Sequence, residues 1–148
     1  MHEALTLARS ASDADEVPVG AVIVHNSTGD ILVRAENRMR RDADPTSHAE
    51  LLTLRALAEV HADIPRADCT LVVTLEPCAM CAGAIVLSRV GSLVFGAWDD
   101  KAGMCGSVGD IVRHRKLNHQ PSVQGGVMNE ENAALLREFF ERKRNDTR

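Results

Sequence analysis

The sequence predicts a layered α/β domain built on one mixed sheet. Two observations carry this. Segments of helical periodicity alternate with short β-rich runs along the chain. The first such run, Val17 to Val24, is apolar on both faces, as in a central strand covered on both sides. The 148 residues suit one hydrophobic core, so 1–148 is expected to be a single domain.

In order, residues 3–14 read as a first helix, with Leu5, Ala8, Ala11 and Ser12 on one face. Asp13 to Glu16 is a polar break. Val17–Val24 is the first strand, with Pro18 near its start, where its missing N–H is tolerated. Asn26-Ser27-Thr28-Gly29-Asp30 has turn chemistry, and Ile31-Leu32-Val33 completes a hairpin. A polar loop from Glu36 to Ser47 holds Asn37; Arg34, Arg38, Arg40 and Arg41 cluster in and beside it. A helix follows from His48 to about Ala62, with Leu51, Leu54, Leu57 and Ala58 as its apolar stripe. Cys69–Thr74 is a third strand and runs into Glu76-Pro77-Cys78. A helix then spans about Ala79 to Ser88, where Ala82, Gly83 and Ala84 permit close packing. Leu93–Gly96 is a fourth strand. Residues 97–108 are glycine-rich and irregular, Asp110–Lys116 reads as a short helix, and Ser122–Gln124 as a weak fifth strand. Asn129 is placed as the cap of a last helix, with Glu130 and Glu131 in its first turn. Leu135, Leu136, Phe139 and Phe140 form its buried face, and its tail, Arg142-Lys143-Arg144, is basic.

Composition narrows the class. An apolar fraction of 45% and a charged fraction of 26% are those of ordinary globular chains. No apolar run approaches the roughly 20 residues of a membrane span, and Met1–Leu5 lacks the start of a signal peptide. A cytoplasmic protein with no membrane role is expected. Net charge is −4, so any nucleic-acid contact must use local basic patches.

Of Cys69, Cys78, Cys81 and Cys105, the middle two form a C-x-x-C, which in such a chain points to metal or redox chemistry. A catalytic zinc needs three protein ligands and one open position. His48, Cys78 and Cys81 supply the three. The cysteines lie one helical turn apart at a helix start, where the dipole favours thiolates. Glu50 is placed to move a proton to or from activated water. Each piece has a plainer reading. Ser47-x-x-Glu50 is also a capping box. A lone C-x-x-C also suits structural zinc or a redox pair, and a closed, non-catalytic zinc module would need a fourth ligand such as Cys105 or His114.

H-x-E before one helix and P-C-x-x-C before another is the signature of zinc nucleobase deaminases. Nearly the whole chain resembles bacterial tRNA-specific adenosine deaminases, within the cytidine/deoxycytidylate deaminase-like superfamily. The resemblance lies in Glu16–Val22, Asp44–Glu50, Thr74–Ala84, Phe95-Gly96-Ala97 with Asp99 and Gly106-Ser107, Leu117-Asn118-His119, and Ala134-Leu135-Leu136 with Phe139-Phe140. It implies a three-layer cytidine-deaminase-like fold, with a central five-stranded mixed sheet flanked by helices. It implies one Zn2+ per subunit, a homodimer, and conversion of adenosine to inosine at the wobble position of a tRNA anticodon stem-loop. Glu50 would be the proton shuttle. Val17 would be an apolar pocket wall, Asn37 a hydrogen-bonding partner of the target nucleotide, Ala49 a backbone contact to the base, and Asp99 a neighbour of the sugar. Asp99 also has the character of a loop-capping aspartate. The same zinc motif serves deaminases of free bases or nucleosides. The chain departs from the family's usual pattern at Trp98, which either stacks on a base or packs, and at Met104 and Cys105. Cys69 and Cys105 are expected to be non-ligands.

Overall fold

The computed structural model describes residues 1–148. Its sheet grows from the hairpin. Strands β1 (Gly20–His25) and β2 (Ile31–Glu36) pair antiparallel, and β1 pairs antiparallel on its other side with β3 (Cys69–Leu75). The next two strands, β4 (Ser92–Ala97) and β5 (Ser122–Gln124), add in parallel, giving the order β2-β1-β3-β4-β5. The change of sense has a local cause. A tight turn joins β1 to β2, whereas β3 reaches β4 through a helical crossover, which returns the chain in parallel.

Helices α1 (His2–Asp13), α2 (Ala49–Val60), α3 (Ala79–Ser88) and α4 (Asn129–Asp146) cover both faces. Strand alternation divides the core. Ala21, Ile23, Leu71, Val73, Leu93 and Phe95 point to the α2/α3 side, where Leu54, Leu57 and Ile85 join them. Val22 and Val72 point to the opposite side, against Ala4 of α1. On that side α4 packs over β4 beside α1. The three-layer α/β/α fold and its five-stranded mixed sheet are therefore as the sequence led us to expect.

Several local expectations change. The first strand starts at Gly20 instead of Val17, because Val19 donates its N–H to the Val17 carbonyl (2.8 Å) in a turn. Within α2, Leu54 and Leu57 are buried but Ala58 is exposed. Residues 110–116 form turns, not a helix. Asp110 bridges back to Cys105, and its carboxylate takes the Arg113 N–H (3.2 Å) and guanidinium (2.7 Å), closing one turn that cannot propagate. Asn129 does not cap α4; the cap position is Met128, in the left-handed region at φ 53°. The Asn129 amide oxygen instead accepts the Trp98 backbone N–H at 3.3 Å. Of α4's expected buried face, Phe139 is buried, Leu135 and Leu136 are half-buried, and Phe140 is exposed. No helix is long and apolar enough to cross a membrane.

Gly20 shows how closely α1 lies on the sheet. A Cβ there would meet the Ala4 carbonyl oxygen at 2.1 Å and the Ala8 nitrogen at 2.7 Å, both backbone atoms that cannot yield. Gly20→Ala is expected to destabilise the fold by about 3 kcal/mol, read as a lower denaturation midpoint with an unchanged slope.

Candidate metal centre

Two helix starts converge at the carboxyl end of β3. His48 is the N-cap residue of α2, and Cys78 is the N-cap residue of α3, with Cys81 one turn further on. The His48 Nδ1 lies 3.7 Å from Cys78 Sγ and 3.5 Å from Cys81 Sγ, and all three atoms lie within 4.8 Å of one another. This spacing tests whether zinc fits. Bonds of ~2.3 Å to sulfur and ~2.05 Å to nitrogen at a tetrahedral angle separate the ligand atoms by about 3.6 Å. The observed distances meet that value, and the donor set of one imidazole and two thiols suits zinc.

The electrostatics favour a thiolate at Cys78. The Cys81 thiol donates to Cys78 and outweighs the cost of burial, and His48 adds to it, so the Cys78 pKa falls to about 3. Cys81, the donor of that pair and itself buried, is pushed up. Contact with Cys78 raises His48. No fourth protein ligand joins the three. Cys105 is buried behind Pro77, its thiol pushed up to about 12 by burial and by the nearby Glu76. Cys69 is buried in β3 with its thiol on the Pro65 carbonyl, at 3.7 Å. The arrangement is thus open on one side, unlike a closed structural site.

Glu50 is buried in the first turn of α2, and burial raises its pKa. The capping box is not formed: α2 has no side-chain cap, and Glu50 instead lines a cavity of about 160 Å³ together with His48 and Cys78. Val17, Asn37 and Asp99 line the same cavity, as do Val19, Met39, Leu75 and Ala102, which sequence reasoning did not single out. The Asn37 Oδ1 accepts the Ala49 N–H at 3.0 Å, while its Nδ2 has no partner in the chain. Ala49 is fully buried, and its backbone N–H is the donor to Asn37. Asp99 is a loop cap through Oδ1, which takes the N–H groups of Lys101 (3.0 Å) and Ala102 (3.2 Å); Oδ2 is unengaged.

Two buried carboxylates hold the cavity's walls. Glu76 accepts the N–H groups of Asp99 (3.0 Å), Cys105 (3.0 Å) and Ser107 (3.1 Å), and the Ser107 hydroxyl. Burial by itself raises this carboxyl, but the four donors outweigh it and its pKa lies below the usual carboxylate value. Glu16 takes the backbone N–H groups of Arg40 (3.0 Å) and Arg41 (2.8 Å), and so anchors the loop that carries Asn37 and Met39. Sequence reading treated both as flanks of motifs. Each adjoins an apolar strand, which is the one signal that could have marked it as a buried charge.

The arginines clustered in and beside the Asn37 loop, and Arg113, are engaged within the chain. Arg34 pairs with Glu3, Arg38 with Asp42, Arg40 with Asp15, Arg41 with Glu16 and Glu36, and Arg113 with Asp110. In the C-terminal tail Arg142 donates to Ser12 and Lys143 pairs with Asp15, whereas Arg144 has no acidic partner. A second, larger cleft of about 880 Å³ runs from the cavity along α4, and Val17, Leu75 and Asp99 line both.

A three-layer α/β/α fold with a histidine-glutamate pair at one helix start and two cysteines at another defines the class of zinc-type hydrolytic deaminases. The profile of the cytidine and deoxycytidylate deaminase zinc-binding region matches residues 1–97, and the chain belongs to that family. It is 42% identical over 140 residues to the tRNA-specific adenosine deaminase of Bacillus subtilis, covering 95% of this chain and 86% of that one. It is 49% identical over 140 residues to the tRNA(Ile)-lysidine synthase of Deinococcus radiodurans, covering 95% of this chain but only 24% of that much longer protein. A solved structure from studies of A-to-I editing by tRNA:A34 deaminases at the wobble position superposes with a TM-score of 0.86 at 40% identity, covering 92% of this chain and 97% of that one.

Proposed function

We propose that residues 1–148 act as one zinc-dependent deaminase domain that hydrolyses adenosine to inosine in tRNA, at the wobble position of the anticodon. The observation that carries the chemistry is a buried carboxylate, Glu50, facing the same small cavity as His48 and Cys78. The choice of tRNA rests on the Bacillus subtilis relative and on the tRNA:A34 deaminase structure. The cavity, about 160 Å³, is smaller than the roughly 300–1,000 Å³ of sites that enclose a drug-sized ligand. It suits one extruded base, with the rest of the substrate lying outside.

His48, Cys78 and Cys81 hold the metal, one ion per subunit. Bound zinc supplies the Lewis acidity that makes water a nucleophile near neutral pH. Water adds to C6 of adenine and ammonia leaves; Glu50 takes a proton from the water and hands it to the departing nitrogen. Burial keeps the Glu50 carboxyl above its usual pKa, which suits a group that must both accept and release a proton. Asn37 offers its free Nδ2 to the target nucleotide, and Ala49 holds Asn37 in place through its N–H. Val17 is an apolar wall, and Asp99 presents Oδ2 toward the sugar. A cytoplasmic homodimer completes the reading. Leu87 on α3, 85% exposed, supports an interface on that helix.

The test is incubation of purified protein with a tRNA anticodon stem-loop and, separately, with free adenosine, guanine and cytidine. Inosine is expected in the RNA. Product from the free compounds alone would replace this reading with a free-base or nucleoside deaminase. Zinc retention with no product from any substrate would leave a non-catalytic zinc module.

A further inference from the structure

The chain has a single tryptophan, and its place in the fold is unusual for so apolar a side chain. Trp98 remains 47% exposed in the larger cleft along α4, next in sequence to Asp99, which lines both that cleft and the small cavity. Its buried part is firmly seated. The ring meets Phe95 at 90° with centroids 4.9 Å apart. Gly125 and Gly126 form the slot wall, where a Cβ would approach the indole to 2.9 and 3.1 Å. The backbone N–H is tied to Asn129 at the start of α4. Phe140 of α4, 45% exposed, lines the same cleft.

Two large aromatics left open in one cleft mark a surface that something covers. The charges there point to the occupant. The cleft lining holds Asp99, Asp100 and Glu141 as well as cations, but Lys101 and Arg144 have no acidic partner within ion-pair distance, unlike Lys143, which pairs with Asp15. Aromatic faces interleaved with free cations suit unpaired nucleotides: bases stack and phosphates meet the cations. The cleft is continuous with the cavity through Val17, Leu75 and Asp99. A strand with one base in the cavity would continue into the cleft that Trp98 lines.

We propose that Trp98 is a stacking platform for the unpaired base adjacent to the one deaminated, and that it contributes to choosing the sequence around the target. This rests on the RNA-editing reading above, and it assigns the larger cleft its ligand. Because Trp98 is the only tryptophan, its fluorescence reports the contact without any reaction. The experiment titrates the zinc-loaded protein with an anticodon stem-loop, then with the same RNA carrying an abasic site on one or the other side of the target adenosine. Binding is followed by anisotropy of labelled RNA, and deamination by inosine content. Saturating quenching by the intact RNA is expected. One of the two abasic RNAs should lose the quenching and bind roughly 5- to 150-fold more weakly. Trp98→Leu should raise KM for RNA by a similar factor with kcat nearly unchanged, and Trp98→Phe should restore most of the loss. Melting curves for both variants verify that they fold. If intact RNA is bound and deaminated while Trp98 emission stays constant, or if quenching survives both abasic substitutions, the stacking role is overturned and the editing reading stands. If no RNA is bound or deaminated, the editing reading itself falls, and this one with it.

Discussion

Glu50→Gln is expected to leave zinc bound and to lower turnover by about 10²- to 10⁴-fold, the usual contribution of a positioned acid–base group. Glutamine keeps the size of the side chain, so the start of α2 and the setting of His48 persist. It cannot take a proton from water or return one to the departing nitrogen. The Glu50 carboxylate has no capping duty to lose, since α2 has no side-chain cap and the residue faces the cavity. Metal content by mass spectrometry and inosine formation from tRNA read the two effects separately. Full metal with near-normal turnover would show that Glu50 is not the proton carrier. Loss of metal would make it a structural support of the ligands.

Glu76→Ala is expected to cost about 3–5 kcal/mol of stability, because buried N–H groups left without an acceptor cost about 1–3 kcal/mol each. The carboxylate holds Asp99, Cys105 and Ser107 at one point and lies so close to Gly103 that only glycine fits there beside it. Denaturant unfolding should show a lower midpoint. The loop from Ala97 to Ser107 should loosen, and with it the placement of Asp99. Acid sensitivity follows from the same geometry. A carboxyl whose folded pKa lies below its unfolded value stabilises fully above the unfolded value, and loses this effect as pH falls through the folded one. The unfolded reference for Glu76 is 4.5. The wild-type protein should therefore lose stability below about pH 4.5 with a component that Glu76→Gln lacks. Equal acid limbs in the two proteins would show that this carboxylate is not held ionised.

Much of the fold was legible because its signals are local. The two-sided apolar run of β1, the turn chemistry of the hairpin and the small residues of α3 each dictate an element within a few residues. The extent of α3, Ala79–Ser88, agrees with the sequence reading for that reason. Errors fell where side chains take partners outside their own segment. Asp110 bridges back to Cys105, and Arg113 donates to the Cys105 carbonyl, where a helix was expected. Asn129 serves Trp98 in place of the helix end it begins. Phe140 has the periodicity of a core residue but lies open in the cleft.

The sequence by itself determined the donor set and the chemistry it permits. Cys78 and Cys81 share a helical turn, and His48 and Glu50 begin another helix, so the identity and local spacing of these groups needed no tertiary information. Only the tertiary structure decided that His48 comes to 3.5–3.7 Å of both sulfurs from 30 and 33 residues away. It also decided that Glu50 faces a cavity and is no cap, and that Glu16 and Glu76 are buried struts. Arg34, Arg38, Arg40, Arg41 and Arg113 are engaged in ion pairs, while Trp98 stands open. The physical reason is common to all of these. Burial, pairing and exposure are properties of what lies across from a residue, and the chain's order does not specify that until the sheet has closed.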